Sequence, residues 1–307
     1  MRILFAGTPE IAVPSLERIA GNFNVCGVLT NPDRVRARGN TVLPSPVKTA
    51  AEALGLTVVQ PQRLLRDARE QIIALEPDLL VTFAYGRIFG PKFLSLFPEG
   101  GINIHPSLLP ALRGSSPIQS AILMGLPETG ITIQNIALEM DTGAVLRQDR
   151  IRLHQTETTE SLTKYVSVHS ATMVVDVILD IMKGTVQPKP QNDDDATYCT
   201  KIEKADRVID WTRSATQLSR EIRAYYPWPK AATVYNGKSL MLTFALPAGP
   251  VEGAPGTVLE NPDRDGILIA CGEGSLKVTH LQLEAKKEVD WKAFLNGNSG
   301  FIGTKLG

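Results

Sequence analysis

Short apolar runs alternate with helix-like segments through the first half of the chain, and this alternation constrains the fold more than any other feature. Strands are predicted at residues 2–6, 25–30, 57–60 and 78–83, and helices at residues 10–20, 46–54 and 68–75. This alternation predicts a parallel sheet, because neighbouring parallel strands need a crossover that a helix supplies. The turn after the first strand contains only Gly7 and lacks the G-x-G-x-x-G pattern, which argues against a dinucleotide site.

The composition of the chain and its predicted elements change near residue 184. Before that point, residues 130–137 and 144–151 predict strands, and residues 161–182 predict a long helix. Residues 184–204 are rich in Pro, Gln and Asp, which is typical of a linker that runs along the surface. A helix at residues 215–225 is followed by short strand candidates at residues 231–235, 240–245, 256–259, 266–270 and 275–283. Short strands in close succession predict a small OB-like barrel.

A chain of 307 residues is long enough for two domains, each with its own core. We therefore predict an α/β protein with an N-terminal Rossmann-like parallel-sheet domain and a C-terminal small β-barrel (OB-like) domain. The predicted bounds are 1–189 for the first domain, 190–205 for the linker and 206–307 for the second domain.

Charge and cysteine content narrow the functional classes. With 32 basic and 32 acidic residues the formal net charge is zero, so a polyanion must be met by a local patch. Cys26, Cys199 and Cys271 are isolated, which favours a reducing compartment without a disulfide framework. The four histidines show no zinc spacing. The N-terminus fits a first strand better than a signal peptide, and no apolar run is expected to be long enough to span a bilayer, so we expect a cytoplasmic protein.

The most informative stretch spans residues 100–117. Residues 102–105 read as the end of a buried strand, and Pro106, which has no N–H to donate, ends that strand. Side chains alternate along a strand, so Asn103 and His105 are predicted to extend from one face. Ligands of open α/β sheets bind beyond such carboxyl ends. Taken alone, the tripeptide is short and common and is better explained as a polar pair that caps a loop.

Several motifs in order resemble those of the folate-dependent formyltransferases. They include Asn103-x-His105, Ser107-Leu-Leu-Pro110, Arg113-Gly114 and Met140-Asp-Thr-Gly143. Further matching segments are Phe5-Ala-Gly-Thr-Pro9, Asn31-Pro-Asp-Arg34, Pro44-Ser-Pro-Val-Lys48, Ala84-Tyr-Gly86, Ile209-Asp-Trp211 and Pro227-Trp-Pro229. The resemblance covers nearly the whole chain. The ordered set is highly specific, although no single member is.

Formyl transfer passes through a tetrahedral carbon with an anionic oxygen, which needs hydrogen-bond donors where the charge develops. Asn103 and His105 are the candidate donors. The attacking amine also loses a proton, and Asp141 is the candidate carboxylate, which would hold the imidazole in its protonated form or accept the amine proton through a water. Taken alone, Asp141 fits an ordinary Asx turn. Within the family pattern we interpret Asn103, His105 and Asp141 as catalytic.

The resemblance implies a folate pocket and no metal. Its donor would be 10-formyltetrahydrofolate, whose flat pterin can be read by backbone groups at strand ends. The predicted lining consists of two segments, Ser107, Leu108, Leu109 and Pro110 in one and Tyr85, Gly86, Arg87 and Phe89 in the other. Neither a metal nor a nicotinamide is required.

The segment at residues 31–45 contains a cluster of arginines. Pro32, Gly39 and Pro44 argue against regular structure there. A solvated loop is the simplest interpretation, but the resemblance implies a loop that inserts into the acceptor arm of a tRNA. The family often has lysines after its Arg-Gly pair, where this chain has Asn40-Thr41. The predicted tRNA contacts are Arg34, Arg36 and Arg38 in the loop and Lys201, Lys204 and Arg207 beyond it.

Four functions share this pattern. The leading one transfers the formyl group to the α-amine of methionine on initiator methionyl-tRNA, and the partners would be that tRNA and the folate, with no membrane and a monomeric protein. The alternative is a related formyltransferase that acts on a small amine, such as an amino-sugar nucleotide or glycinamide ribotide. A formyltetrahydrofolate hydrolase would use the same site on water. A non-catalytic tRNA-binding module is the fourth, and the presence of all three candidate catalytic residues argues against it.

Overall fold

The computed structural model describes residues 1–35 and 42–307. The described residues divide into two compact units. The first unit contains Met1–Pro117, Glu128–Arg152 and Thr163–Thr200, and the second contains Ile118–Pro127, Leu153–Leu162 and Lys201–Gly307. Residues 190–200 of the predicted linker thus belong to the first unit. The predicted domain bounds themselves stay a prediction.

Strands and helices follow each other closely in the first two hundred residues. The strands are β1 (Arg2–Gly7), β2 (Asn24–Leu29), β3 (Arg34–Val35), β4 (Val42–Leu43), β5 (Val58–Val59), β6 (Leu79–Phe83), β7 (Gly101–His105), β8 (Arg113–Gly114), β9 (Glu128–Asn135), β10 (Val145–Arg152) and β11 (Tyr198–Cys199). The helices are α1 (Val13–Ala20), α2 (Pro46–Ala53), α3 (Arg66–Ile73), α4 (Pro91–Leu94), α5 (Pro117–Met124) and α6 (Thr159–Lys183), with 3₁₀ turns at Glu10–Ala12, Asp193–Asp195 and Lys204–Arg207.

The main sheet of the first unit has seven strands among the described residues, in the order β10-β9-β7-β6-β1-β2-β5. The five strands from β7 to β5 are parallel, whereas β9 pairs antiparallel with both β7 and β10. The predicted parallel α/β class is confirmed. The central strands β1 and β6 are apolar along almost their whole length, because helices cover both faces of a parallel sheet.

The helix α6 is, by length and apolar composition, the one described helix that meets the requirements for a membrane span. The expectation that no segment would do so is therefore wrong. Half of the apolar stretch of this helix is buried inside the structure. Ser167 Oγ donates to the carbonyl oxygen of Ile11 over 2.7 Å, and the Ser170 and Ser15 hydroxyls lie 3.4 Å apart. These contacts with the start of the chain are typical of a helix packed in a core.

The second unit is built on an antiparallel sheet. Its elements are α7 (Ala215–Ala224), β12 (Ala232–Tyr235), β13 (Lys238–Ala248), β14 (Val258–Leu259), β15 (Ile267–Ala270), β16 (Ser275–Leu283), β17 (Val289–Asp290) and α8 (Trp291–Gly297). The strand order is β12-β13-β16-β15-β14, with β17 beside β16. Register shifts within β13 mark bulges, which bend a strand and curl its sheet. The sheet is a curled half-barrel, and the predicted second domain class is confirmed.

Two segments that were predicted to be irregular contain short strands. In residues 31–45, Arg34 pairs with Leu43 and Val35 with Val42 in an antiparallel ladder, so the prediction of no regular structure there is wrong. Pro32 and Pro44 lie outside the paired positions. In the predicted linker, β11 pairs in parallel with β8. Arg36 and Arg38 lie outside the described residues.

Candidate active site

The carboxyl end of β7 presents the two polar side chains that the sequence singled out. Asn103 and His105 alternate with Ile102 and Ile104, whose side chains are almost completely buried. Because side chains alternate between faces, Asn103 and His105 extend from the same face, and both reach Asp141. Asn103 Nδ2 lies 3.4 Å and His105 Nδ1 lies 3.5 Å from Asp141 Oδ1. The structure thus brings the three predicted catalytic residues together.

Asp141 occupies a turn between β9 and β10. Its φ of 58° is in the left-handed region, which Asp tolerates better than most residues. A Cβ at position 143 would overlap the carbonyl oxygen of Asn135, so only Gly143 fits there. This close approach folds the turn back onto the end of β9 and keeps the Asp141 carboxylate beside β7.

Donors from two further segments hold the Asp141 carboxylate. Gln134 Nε2 donates to Oδ1 over 3.0 Å, and the backbone N–H of Gly114 donates to Oδ2 over 2.9 Å. An ordinary Asx turn would instead pair the carboxylate with the backbone of its own turn, and the described residues show no such bond. The carboxylate therefore joins β7, β8 and β9 at one point.

His105 is 4% exposed, and both of its ring nitrogens face oxygen atoms. Nε2 lies 2.9 Å from the carbonyl oxygen of Leu112, and Nδ1 faces Asp141. Burial lowers the pKa of His105 below its ordinary value and outweighs the Asp141 charge and the Leu112 carbonyl, which both raise that pKa. Asp141 favours the protonated ring, as we expected, but burial is the larger effect. A proton that the ring takes up would still find an acceptor on each side.

Two residues of this cluster, Gln134 and Gln191, were missed from the sequence. Gln134 is 2% exposed and faces Asn103 across the β7–β9 ladder. No sequence signal distinguished it, because β9 contains several other polar residues and the strand register was not known. Gln191 donates to the carbonyl oxygens of Asp141 and Gly143 over 2.9 and 2.7 Å. It lies in the predicted linker, where nothing in the pattern distinguishes it.

The segment at residues 107–110 is fastened to the sheet by hydrogen bonds. The Leu109 N–H donates to Thr132 Oγ1 over 3.1 Å, and Gln148 Nε2 donates to the Leu109 carbonyl over 2.7 Å. Ser107 is 1% exposed and its hydroxyl donates to Ala111. The backbone groups of Leu109 are therefore already paired, and the half-buried Leu108 and Pro110 remain as the accessible part of this predicted folate segment.

The other predicted folate segment follows β6. The Tyr85 and Phe89 rings are buried and stacked at 5.4 Å between centroids, and Phe89 stacks in turn on Phe93. Both predicted side chains thus belong to the hydrophobic core. Gly86 is exposed with a φ of 80°, and Arg87 Nη1 donates to two carbonyl oxygens at residues 61 and 62 over 3.0 Å. Exposed backbone near Gly86 is the part of this segment that can meet a ligand.

The remaining predicted contacts are basic. Lys201 and Lys204 are exposed, and Arg207 Nη2 donates to Ser239 Oγ over 2.6 Å within the second unit. Arg34 belongs to β3, and Arg36 and Arg38 are outside the described residues. Over residues 1–35 and 42–307, no group of three or more His, Cys, Asp and Glu side chains could hold a metal ion.

Comparisons with known proteins agree with this architecture. The formyl transferase family matches residues 1–178, and the formyl transferase C-terminal domain matches residues 201–299. A methionyl-tRNA formyltransferase from Treponema denticola is 42% identical to this chain over 98% of both chains. One from Methylococcus capsulatus is 40% identical over 100% of both chains. The structure of an N-formyltransferase from Helicobacter canadensis, in complex with folinic acid and dTDP-3-aminofucose, has a TM-score of 0.66 and 20% identity, over 94% of this chain and 99% of that one.

A parallel sheet with polar side chains converging beyond a central strand defines an α/β enzyme whose site lies at the strand carboxyl ends. The matches to both family domains narrow this class, and the chain belongs to the formyl transferase family. It is therefore a transferase of formyl groups.

Proposed function

We propose that this chain transfers the formyl group of 10-formyltetrahydrofolate to the α-amine of methionine on initiator methionyl-tRNA, giving N-formylmethionyl-tRNA for translation initiation. The observation that carries the proposal is the 42% identity to a methionyl-tRNA formyltransferase over 98% of both chains. That similarity includes the second unit as well as the catalytic sheet. The protein would act in the cytoplasm and without a membrane, as the isolated cysteines and the N-terminal sequence suggest, and as a monomer, which the family resemblance implies.

The geometry around Asp141 supports a role for each candidate catalytic residue. The donor supplies an electrophilic formyl carbon, and attack by the amine moves an electron pair onto the formyl oxygen. Asn103 is half-buried, and its Nδ2 is held to Asp141 over a long 3.4 Å, so a second N–H remains for that oxygen. The attacking nitrogen must lose a proton before the bond to the leaving nitrogen breaks. Asp141 and His105 together would hold that proton, because each ring nitrogen faces an oxygen, and would give it to the leaving nitrogen of the folate as its bond to the formyl carbon breaks.

Recognition of the tRNA is assigned to the predicted domain at residues 206–307, to the linker at residues 190–205 and to the basic loop. Lys201 and Lys204 are exposed, as phosphate contacts require. Arg34, Arg36 and Arg38 in the loop are the further candidates. The net charge is zero, so such local basic groups would have to supply the attraction to the nucleic acid.

A panel of acceptors tests the function. The wild-type chain is incubated with radiolabelled 10-formyltetrahydrofolate and one of four acceptors: charged initiator tRNA, charged elongator tRNA, glycinamide ribotide or an amino-sugar nucleotide. We expect efficient transfer to charged initiator tRNA and little transfer to the others. Preferential labelling of either small amine would replace the proposal with the small-acceptor alternative. Release of formate without transfer to any acceptor would identify a hydrolase.

A further inference from the structure

Arg113 lies behind the candidate active site, with 2% of its side chain exposed. Its guanidinium donates to Gln191 Oε1 through Nε over 3.1 Å and through Nη2 over 2.9 Å. Nη2 also donates to Asp193 Oδ1 over 2.7 Å, and Nη1 reaches the Tyr198 hydroxyl over 3.4 Å. A guanidinium has donors and no acceptor, so the group that faces it must present oxygen.

This requirement sets the orientation of the Gln191 amide. With its oxygen toward Arg113, its Nε2 must face the opposite way, toward the active site. There it finds three acceptors, which are the Gly143 carbonyl at 2.7 Å, the Asp141 carbonyl at 2.9 Å and Gln134 Oε1 at 3.2 Å. A flipped amide would place an oxygen against three oxygens and a nitrogen against a cation. Gln191 therefore has one favourable orientation.

The orientation of the Gln191 amide also determines that of the Gln134 amide. Gln134 Oε1 faces the Gln191 donor, so Gln134 Nε2 faces Asp141 Oδ1 and donates to it over 3.0 Å. Gln134 is 2% exposed, so water does not compete for these groups. Two amides in series thus connect a buried cation to the carboxylate that Asn103 and His105 share.

We infer that Arg113, Gln191 and Gln134 form a relay of oriented side chains that positions the Asp141 carboxylate and its turn for catalysis. Gln191 is the central positioning residue, because it fixes the Asp141 backbone directly and the Asp141 side chain through Gln134. The inference rests on the proposed roles of Asn103, His105 and Asp141 in formyl transfer. It assigns a function in the active site to a segment that the sequence predicted to be a linker.

A purely structural role for Gln191 makes a different prediction. If its purpose is to anchor the segment at residues 189–200 to Arg113, then a carboxylate should serve at least as well as an amide, since it accepts hydrogen bonds from a guanidinium strongly. If its purpose is to orient Gln134 and Asp141, a carboxylate should fail. It cannot donate, and it would face the oxygens of Asp141, Gly143 and Gln134.

The test compares Gln191→Glu with Gln191→Met in the full-length chain. The relay predicts that both variants lower kcat about 10- to 100-fold, a loss typical for partners that orient reacting groups. KM for the folate donor should stay unchanged, and circular dichroism at the assay temperature should show that both variants are folded. A Gln191→Glu enzyme with wild-type kcat would overturn the relay and leave only the anchoring role.

Gln282→Glu is a matched control. Gln282 Oε1 accepts from the Lys230 ammonium over 2.7 Å, and its Nε2 donates to the Lys286 carbonyl over 2.8 Å. It therefore makes the same exchange of amide for carboxylate between a cation and a carbonyl, but it contacts neither Asp141 nor Gln134. We expect its kcat at saturating charged tRNA to be unchanged. A loss equal to that of Gln191→Glu would mean that such exchanges act through general destabilisation, and would contradict the relay.

A readout without turnover separates this inference from the proposed function. In the wild-type chain, the Gln134 side-chain amide protons should exchange slowly with solvent, as measured by NMR with ¹⁵N-labelled glutamine. Gln191→Glu should speed that exchange at least tenfold, because the Gln134 amide loses the donor that orients it. Unchanged exchange would overturn the relay even if the enzyme is active. Absence of formyl transfer by the wild type would reject the proposed function and not the relay.

Discussion

Two regions of the first unit meet at Asp141, and they differ in how they reach it. Asn103 and His105 reach the carboxylate from a buried strand end, where side-chain alternation fixes their direction. Gln191 reaches the same turn from a segment about fifty residues further along the chain. The first region carries the catalytic motif, whereas Gln191 in the second region belongs to no motif. The comparison shows that residues bearing the chemistry and residues holding it in place follow different sequence rules.

The second region depends on two very short strands. The ladder between β8 and β11 is two residues long, and Arg113 N–H donates to the Thr197 carbonyl beside it over 2.8 Å. Such a ladder has little stability of its own, because isolated strand pairs are marginal in water. It persists here because Arg113 binds Gln191 and Asp193 in the same segment. Mutations in the strand end and mutations in the β8–β11 ladder should therefore have different effects on activity and on stability.

The largest effect is expected at the strand-end region. His105→Ala and Asp141→Ala should each lower kcat by about 10²–10⁴, the typical contribution of a positioned group that takes up or gives a proton. The double variant should be little worse than either single variant, because groups that act as a unit are non-additive. Single-turnover kinetics at saturating substrates measures the loss, and circular dichroism verifies the fold. Near-normal turnover by either variant would remove that residue from the mechanism.

Asn103 allows a sharper test of the same region. Asn103→Asp should be at least as harmful as Asn103→Ala, because it replaces a donor with a negative charge beside the developing anion and beside Asp141. The expected loss in kcat is about 10²-fold or more for both variants. If the Asp variant turned over clearly faster than the Ala variant, the oxyanion role of Asn103 would be wrong.

Gly114→Ala should perturb the second region without changing a side chain of the first. Gly114 has a φ of 122°, and a Cβ there would overlap the carbonyl oxygen of Cys199 in β11. The strained backbone alone costs about 1–3 kcal/mol of unfolding free energy. The variant should also lose kcat, because the Gly114 N–H that donates to Asp141 must move. Chemical denaturation and steady-state kinetics would measure both. An unchanged unfolding free energy would mean that the β8–β11 ladder is not held as the structure shows it.

Mutations in the arginine loop should leave both regions intact. Changing Arg34, Arg36 and Arg38 together to Ala is expected to raise KM for charged initiator tRNA and to flatten its salt dependence. Each lost phosphate contact lowers the slope of log affinity against log salt by about 0.9 for duplex or 0.7 for single strand. KM for the folate should stay unchanged, and Arg38→Ala should show the largest single effect. If the salt slope and KM are both unchanged, the loop does not contact tRNA.

The smallest expected effect is on the pH dependence of stability. The pKa of His105 is lowered in the folded state, so below an unfolded-state pKa of 6.5 the unfolded chain binds more protons. The stability that comes from the neutral buried ring is fully present above pH 6.5 and is lost as the pH falls towards the folded pKa. We expect the unfolding free energy of His105→Gln to depend less on pH below 6.5 than that of the wild type. Parallel pH profiles would contradict this.

Local pattern determined the architecture of both units and the motif residues. The apolar runs at β1 and β6 predict buried parallel strands because their composition matches a sheet that is covered on both faces. Asn103 and His105 were predictable because alternation along a strand is a local property. The ordered motifs also identified Asp141 before its distance from β7 was known.

Only the tertiary structure decided which groups hold Asp141 in place. The register between β7 and β9 places Gln134 opposite Asn103, and a shift of one residue would have turned Gln134 to the other face. Gln191 belongs to a Pro- and Asp-rich segment whose composition predicts solvent exposure, and its contacts form because Arg113 is buried beneath it. Likewise, Tyr85 and Phe89 were predicted to line the folate site, and their rings stack in the core. Register and burial depend on residues far apart in the chain, so a local pattern cannot specify them.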